Sequence, residues 1–136
     1  MAMRIAIVYG TRPECVKLAP VVQELRQWGV KPTIIATGQH TDLLRGTPAE
    51  TVMAPDVSLQ MLGAFDPIGY AGRLQMVLTE ELRVNKPDLC MVQGDTASAY
   101  AGAMAGRGQS LRGFRRGRFG PRPESSAFMN DMLFSL

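Results

Sequence analysis

Residues 5–14 read Ile5-Ala6-Ile7-Val8-Tyr9-Gly10-Thr11-Arg12-Pro13-Glu14, an unbroken apolar run that ends in glycine and passes into a charged, proline-marked segment. A run of branched and aromatic residues with no polar alternation is how a parallel strand covered on both faces looks. Pro13 suits the first turn of a helix, where a missing N–H costs nothing. A strand that opens through glycine into a helix is a common place for α/β proteins to hold phosphates, because helix N-terminal amides attract anions. Arg12, planted in that turn, adds a permanent positive charge with the geometry to grip a diphosphate. The stretch predicts an α/β fold with an anionic ligand at its first turn.

The rest of the chain continues the alternation. Val16, Ala19, Val22 and Leu25 predict an apolar helix face over residues 13–28, with Gly29 as its stop and Pro20 as a kink. Residues 33–37 predict a second strand, joined to the first by a right-handed crossover. A short helix is expected near residues 42–45 and a short third strand at 57–61. Ile68, Ala71, Leu74, Val77, Leu78 and Leu82 predict a helix face ending near Asn85, ahead of Pro87. Residues 89–93 predict a fourth strand and the Ala/Gly-rich residues 97–105 another helix. This is the grammar of a Rossmann-like, doubly wound parallel sheet.

Composition sets bounds. The chain has 136 residues and 46% hydrophobic content, enough for one moderate core and short for a two-domain enzyme. Its net charge of +3 is unevenly spread: residues 1–106 carry 9 Lys/Arg against 10 Asp/Glu, and residues 107–136 carry 6 against 2. No apolar run is long enough to span a bilayer and no signal-peptide pattern opens the chain, so a cytoplasmic setting is expected. Cys15 and Cys90 lack metal-type spacing and read as reduced, buried thiols; no metal site is expected.

Ligands of open parallel sheets bind beyond the carboxyl ends of the strands, where strand order reverses. Three polar turns follow such ends, at residues 10–14, 38–40 and 94–96. If the fourth strand lies beside the first, Arg12 and Asp95 face one crevice, with Lys17 as a second cation. Each residue also has a plainer role open to it. Asp95 can be a helix N-cap, Lys17 a solvated side chain, His40 a loop cap, and Glu14 a complement to the helix dipole. Neither G-x-G-x-x-G nor a Walker loop is present.

Gly10-Thr11-Arg12-Pro13-Glu14 with Lys17 and Ala19-Pro20, then Thr37-Gly38-Gln39-His40, then Val92-Gln93-Gly94-Asp95-Thr96 together resemble the N-terminal part of the non-hydrolysing UDP-N-acetylglucosamine 2-epimerases, over residues 4 to about 107. The resemblance implies part of a glycosyltransferase-B-like architecture of two Rossmann-like domains with the active site between them. It implies interconversion of UDP-GlcNAc and UDP-ManNAc through elimination and re-addition of UDP, without a redox cofactor, and a family-type homodimer. It makes Asp95 the carboxylate closest to the sugar and a candidate in proton transfer, and has Arg12 and Lys17 serve the nucleotide-sugar phosphates or organise that site. Gln39 and His40 would line the cleft or a neighbouring regulatory pocket, with Gly10 and Thr96 beside the substrate and Pro13 and Glu14 in structural or regulatory roles.

At residue 107 the pattern changes. Six arginines interspersed with glycine and proline occupy residues 107–123, where the resemblance calls for a fifth strand and a His-Val-Glu-Ala-Gly-type turn. The expectation is an atypical, disordered or frameshifted tail, with the C-terminal UDP-binding domain absent and the chain inactive on its own. Without a fifth strand the fourth becomes an open edge, which predicts self-association. The competing expectations are a nucleotide-sugar-binding fragment without turnover, and a nucleic-acid-binding module in which the tail arginines contact phosphates and Phe114 and Phe119 stack on bases.

Overall fold

The computed structural model describes residues 3–41, 44–63 and 66–109. In chain order the elements are β1 (Ile5–Tyr9), α1 (Arg12–Gln27), β2 (Thr33–Ala36), α2 (Ala49–Val52), β3 (Val57–Ser58), α3 (Pro67–Asn85), β4 (Leu89–Met91) and α4 (Ala97–Gly108). The four strands form one parallel sheet in the order β3-β2-β1-β4. Ile7 sits opposite Ile34 of β2 on one side and Met91 of β4 on the other. The fold is therefore α/β with a Rossmann-like parallel sheet, as the sequence predicts.

Alternation along β1 divides the core in two. Ile5, Ile7 and Tyr9 point to one face and pack with Cys15, Leu18 and Val22 of α1 and with Met53. Ala6 and Val8 point to the other and pack with Leu74, Leu78 and Leu82 of α3 and with the alanines of α4. Both faces of the strand are thus buried, which explains its lack of polar alternation. Small residues in α4 let that helix lie close against β1, β4 and α3.

Several expectations are corrected in detail. The buried stripe of α1 is Cys15, Leu18, Ala19 and Val22, while Val16 is 51% exposed. A stripe stepping only by three drifts around a helix of 3.6 residues per turn, and the mixed three-and-four spacing is the one that stays on the sheet. In α3 the same geometry buries Tyr70, Leu74, Leu78 and Leu82 and leaves Ile68 and Val77 on the outside. The helix α1 continues through Pro20; Pro20 and Val16, whose carbonyl loses its donor, both lie on the exposed face, where water can replace it. A short helix, α2, lies at Ala49–Val52, residues 44 and 45 of the helix expected near 42–45 are not helical, and β3 is shorter than expected. Residues 42 and 43 lie outside the described residues.

The atypical tail expected from residue 107 is corrected at its start, because Arg107 and Gly108 close α4; the expectations for residues 110–136, including Phe114 and Phe119, also fall outside the described residues. Among the described residues, no helix is long and apolar enough to cross a membrane.

Candidate functional site

Strand order reverses between β1 and β4, since β2 and β3 lie on one side of β1 and β4 on the other. The turns leaving β1 and β4 therefore flank the crevice where open α/β sheets hold ligands. Arg12 opens α1 from the first turn and Asp95 lies in the second, so the predicted arginine and carboxylate do leave adjacent parallel strands in the same direction. Arg12, Lys17 and Asp95 are all exposed.

The turn after β1 is tied down by Glu14, which is 2% exposed. Its Oε2 accepts the N–H groups of Gly10 at 2.7 Å and Thr11 at 2.9 Å. Thr11 is the N-cap, in an extended conformation, and Pro13 sits in the first turn of α1. Two amides expected to meet an external anion thus already bind one, the carboxylate of the helix itself. Its Oε1 accepts the hydroxyl of Thr96. Burial raises the Glu14 pKa from its ordinary value, against the hydrogen bonds from Thr96, Gly10 and Thr11.

The turn after β4 runs through Gly94, whose φ of +94° belongs to the left-handed region that glycine adopts without strain. The N-cap of α4 is Thr96, whose Oγ1 accepts the Ala99 N–H at 3.2 Å. Capping therefore falls to Thr96, and the plain explanation for Asp95 lapses.

The third turn, after β2, is bound to the other two. The Thr37 N–H donates to the Tyr9 carbonyl at 2.9 Å and the His40 N–H to the Gly10 carbonyl at 3.0 Å. Gln39 Oε1 accepts both the backbone N–H of Ser98, at 3.1 Å, and its hydroxyl, at 2.6 Å. With the Ser98 proton committed there, the 2.8 Å contact between Thr37 Oγ1 and Ser98 Oγ has Thr37 as donor, and Thr37 Oγ1 in turn accepts the Gln39 N–H at 3.2 Å. The result is a closed ring of hydrogen bonds joining β2 to α4. Gln39, expected as a cleft-lining group, spends its carbonyl on this ring.

Gly10 has its own reason to be glycine. A Cβ there would stand 2.0 Å from Ser98 Oγ and 2.4 Å from Thr37 Oγ1. Residues Thr37 and Ser98, both fully buried, carry no signal in the sequence beyond a threonine ending a strand and one serine in an alanine-rich helix.

Two depressions open near these turns. A cleft of about 780 Å³ at the ends of β1, β2 and β3 is lined by Tyr9, Gly10, Gly38, His40, Arg45 and Gln60, among others; its size suits a small ligand. A smaller groove of about 450 Å³ between the N-terminal ends of α3 and α4 is lined by Asp95, Thr96, Pro67, Ile68, Gln75 and Tyr100, among others. His40 and Gly10 thus face one depression and Asp95 and Thr96 the other, while Arg12 and Lys17 line neither. Among the described residues no cluster of His, Cys, Asp or Glu could hold a metal ion.

Residues 23–112 match the family model described as UDP-N-acetylglucosamine 2-epimerase. The chain belongs to the UDP-N-acetylglucosamine 2-epimerase family. The epimerase of Bacillus subtilis is 30% identical over 131 residues, covering 90% of this chain and 34% of that protein. A match of that extent runs past residue 107 into the arginine-rich segment. A UDP-N-acetylglucosamine 2-epimerase homolog of Methanococcus maripaludis is 36% identical over 107 residues, covering 76% of this chain and 29% of that one. The crystal structure of the Methanocaldococcus jannaschii UDP-GlcNAc 2-epimerase, in complex with UDP-GlcNAc and UDP, superposes with a TM-score of 0.75 at 25% identity, covering 95% of this chain and 37% of that one. The sheet described above is thus the N-terminal part of a glycosyltransferase-B-like epimerase fold, and the chain spans about a third of the length of the relatives it matches.

Proposed function

We propose that this chain supplies one wall of a UDP-GlcNAc 2-epimerase site and binds the nucleotide sugar there without turning it over alone. The observation that carries the reading is the meeting of the β1 and β4 turns at the reversal of strand order, with Arg12 on one and Asp95 on the other. On this reading Arg12 and Lys17 face the diphosphate, and Asp95 is the carboxylate in proton transfer at sugar C2 during elimination and re-addition of UDP. A proton-transfer group must come within hydrogen-bond reach of its proton, and an exposed side chain on a fixed turn can do so. His40 lines the larger cleft, which suits the sugar-nucleotide or a second, regulatory molecule of it, with Gln39 beside it in the same turn. Gly10 and Thr96 hold the turns beneath, and Pro13 and Glu14 fix the first of them.

The reading concerns the wall that these residues supply, about a third of the length of the relatives matched. We take the compositional break at residue 107 as the division between a Rossmann-like part, residues 1–106, and an Arg/Gly-rich segment of different origin, residues 107–136, although Arg107 and Gly108 close α4 and the family match runs to residue 112. Reading the coding sequence around codon 107 tests that division, which falls if neither other frame restores an apolar strand followed by a His-Val-Glu-Ala-Gly-like turn. Calorimetric titration with UDP-GlcNAc, run beside an assay for UDP-ManNAc, tests the function. Heat without product is expected; product formation overturns the claim of no turnover, and absence of binding overturns the site.

A further inference from the structure

Glu14 differs from every other charged residue of the three turns. Arg12, Lys17, His40 and Asp95 are exposed, whereas Glu14 is 2% exposed although it stands in the first turn of a helix. Complementing the helix dipole would need no burial and is worth only about 0.3–1 kcal/mol on a surface. Burying a carboxylate costs far more unless its oxygens are bonded. Here both are, and to different loops. Oε2 holds the Gly10 and Thr11 amides, and Oε1 holds the Thr96 hydroxyl, 82 residues away in sequence. The loop before Thr96 bends over the same side chain: a Cβ on Gly94 would stand 3.7 Å from Glu14 Cγ. Arg12 follows Thr11, whose amide the carboxylate holds, and Asp95 precedes Thr96, whose hydroxyl it holds, so each functional charge adjoins a group bonded to this carboxylate.

We propose that Glu14 is a positioning residue whose carboxylate locks the Arg12 turn to the Asp95 turn, fixing the relation of the two charges toward a nucleotide-sugar diphosphate. The choice of ligand rests on the function proposed above; the lock itself does not. Thr96 is its other half, because the hydroxyl that caps α4 with its lone pair gives its proton to Glu14. The remaining titratable groups around the carboxylate are Cys15 on α1 and Tyr70 on α3, both of which feel its charge, with Tyr9 on β1 behind Cys15. Burial raises all three, so they stay neutral through the acid and neutral range, and the exposed Asp95 and His40 of the neighbouring turns are common to wild type and Glu14→Gln, so their contribution is subtracted.

The test uses the full chain, labelled with nitrogen-15, as wild type, Glu14→Gln, Thr96→Val and Thr96→Ser. Backbone amides of Gly10, Thr11, Gly94, Asp95 and Thr96 are followed over about pH 4 to 8, a range that spans a raised glutamate, with circular dichroism confirming the fold. In wild type both sets of amides should shift together with one midpoint above the ordinary glutamate value. Glu14→Gln should abolish the step in both sets. Thr96→Val should keep it at Gly10 and Thr11 and lose it at Gly94 to Thr96, and Thr96→Ser should restore it. Should Glu14→Gln not fold, the Thr96 pair decides the matter. UDP-GlcNAc affinity should fall about tenfold, the loss of roughly one hydrogen bond to a charge, in Thr96→Val and recover in Thr96→Ser. Two sets of amides that titrate independently, or a second set indifferent to Glu14, would overturn the lock. A wild-type chain that shows the shared titration but no UDP-GlcNAc binding refutes the ligand and leaves the lock standing.

Discussion

Replacing Gly10 by alanine puts a methyl group where the structure has no room. The added carbon would stand 2.0 Å from Ser98 Oγ, 2.4 Å from Thr37 Oγ1 and 2.8 Å from Ser98 Cβ, whereas ordinary contact begins at 3.4 Å. Ser98 Oγ would have to retreat by about 1.4 Å, the difference between the last figure and the first. It cannot do so by rotation alone, because it is held between Gln39 and Thr37 in the hydrogen-bonded ring and is fully buried. Its backbone is anchored too, by the N–H bond to Gln39 and the packing of α4 on α3. Overpacking of this kind costs about 1–3 kcal/mol, and a buried hydroxyl left without its partner adds about 1–3 kcal/mol. The alanine recovers only about 0.4–1 kcal/mol by restricting the unfolded chain. A net loss of about 1–5 kcal/mol, centred near 3 kcal/mol, is expected against a total stability of about 5–15 kcal/mol. Urea unfolding followed by far-ultraviolet circular dichroism would register this as a midpoint lower by about 1 M or more. Adding Ser98→Gly removes two of the three clashing atoms, so the double variant should be more stable than the sum of the single losses predicts. If Gly10→Ala unfolds within about 0.5 kcal/mol of wild type and alters only ligand binding, the close-packing argument is wrong and the glycine serves ligand approach instead.

Burial pushes the Cys15 and Cys90 thiols up to about 12, so neither should react with a thiol-disulfide reagent at neutral pH in the native chain, and both should react after denaturation. Glu14 gives a pH signature with a definite sign. Its carboxyl is raised above 4.5 by folding, so the native state holds the proton more tightly, and stability should fall as pH rises from the ordinary glutamate range through the folded value. Subtracting the stability-against-pH curve of Glu14→Gln from that of wild type should isolate that fall, and a flat difference would contradict it. Thr96→Ala should cost about 0.5–2 kcal/mol through the lost cap, whereas Asp95→Ala should change unfolding free energy by less than about 0.5 kcal/mol; equal losses would return the capping role to Asp95. Among the described residues β4 pairs only with β1, and an open apolar strand invites association. Sedimentation velocity should show concentration-dependent oligomers, and a monomer at all concentrations would refute that expectation.

Much of this fold is legible in the residues because strands buried on both faces advertise themselves: Ile5 to Tyr9 cannot be read as a solvent-facing strand. The helix faces are legible only roughly. Val16, Val77 and Ile68 are apolar and near the right spacing, yet they face outward, since apolar side chains are common on surfaces and periodicity by threes drifts. The site is legible as three turns but not as a bonded unit. Arg12 and Asp95 announce themselves by charge, and they are the exposed members. The groups that hold the turns together, Glu14, Thr37, Ser98 and Thr96, are ordinary polar residues whose partners lie far away in sequence, 82 residues for Glu14 and Thr96 and 61 for Thr37 and Ser98. Nothing local marks them, because their importance arises only when β4 comes to lie beside β1.

The central claim is that the β1 and β4 turns of this chain form a wall of a nucleotide-sugar site, and calorimetric titration of UDP-GlcNAc into wild type, Arg12→Ala and Asp95→Ala tests it most directly. Saturable binding by wild type, weakened by about tenfold or more in Arg12→Ala through loss of a charged phosphate contact, is the predicted result. Binding that is absent from wild type at millimolar UDP-GlcNAc, or that is untouched in both variants, would contradict it.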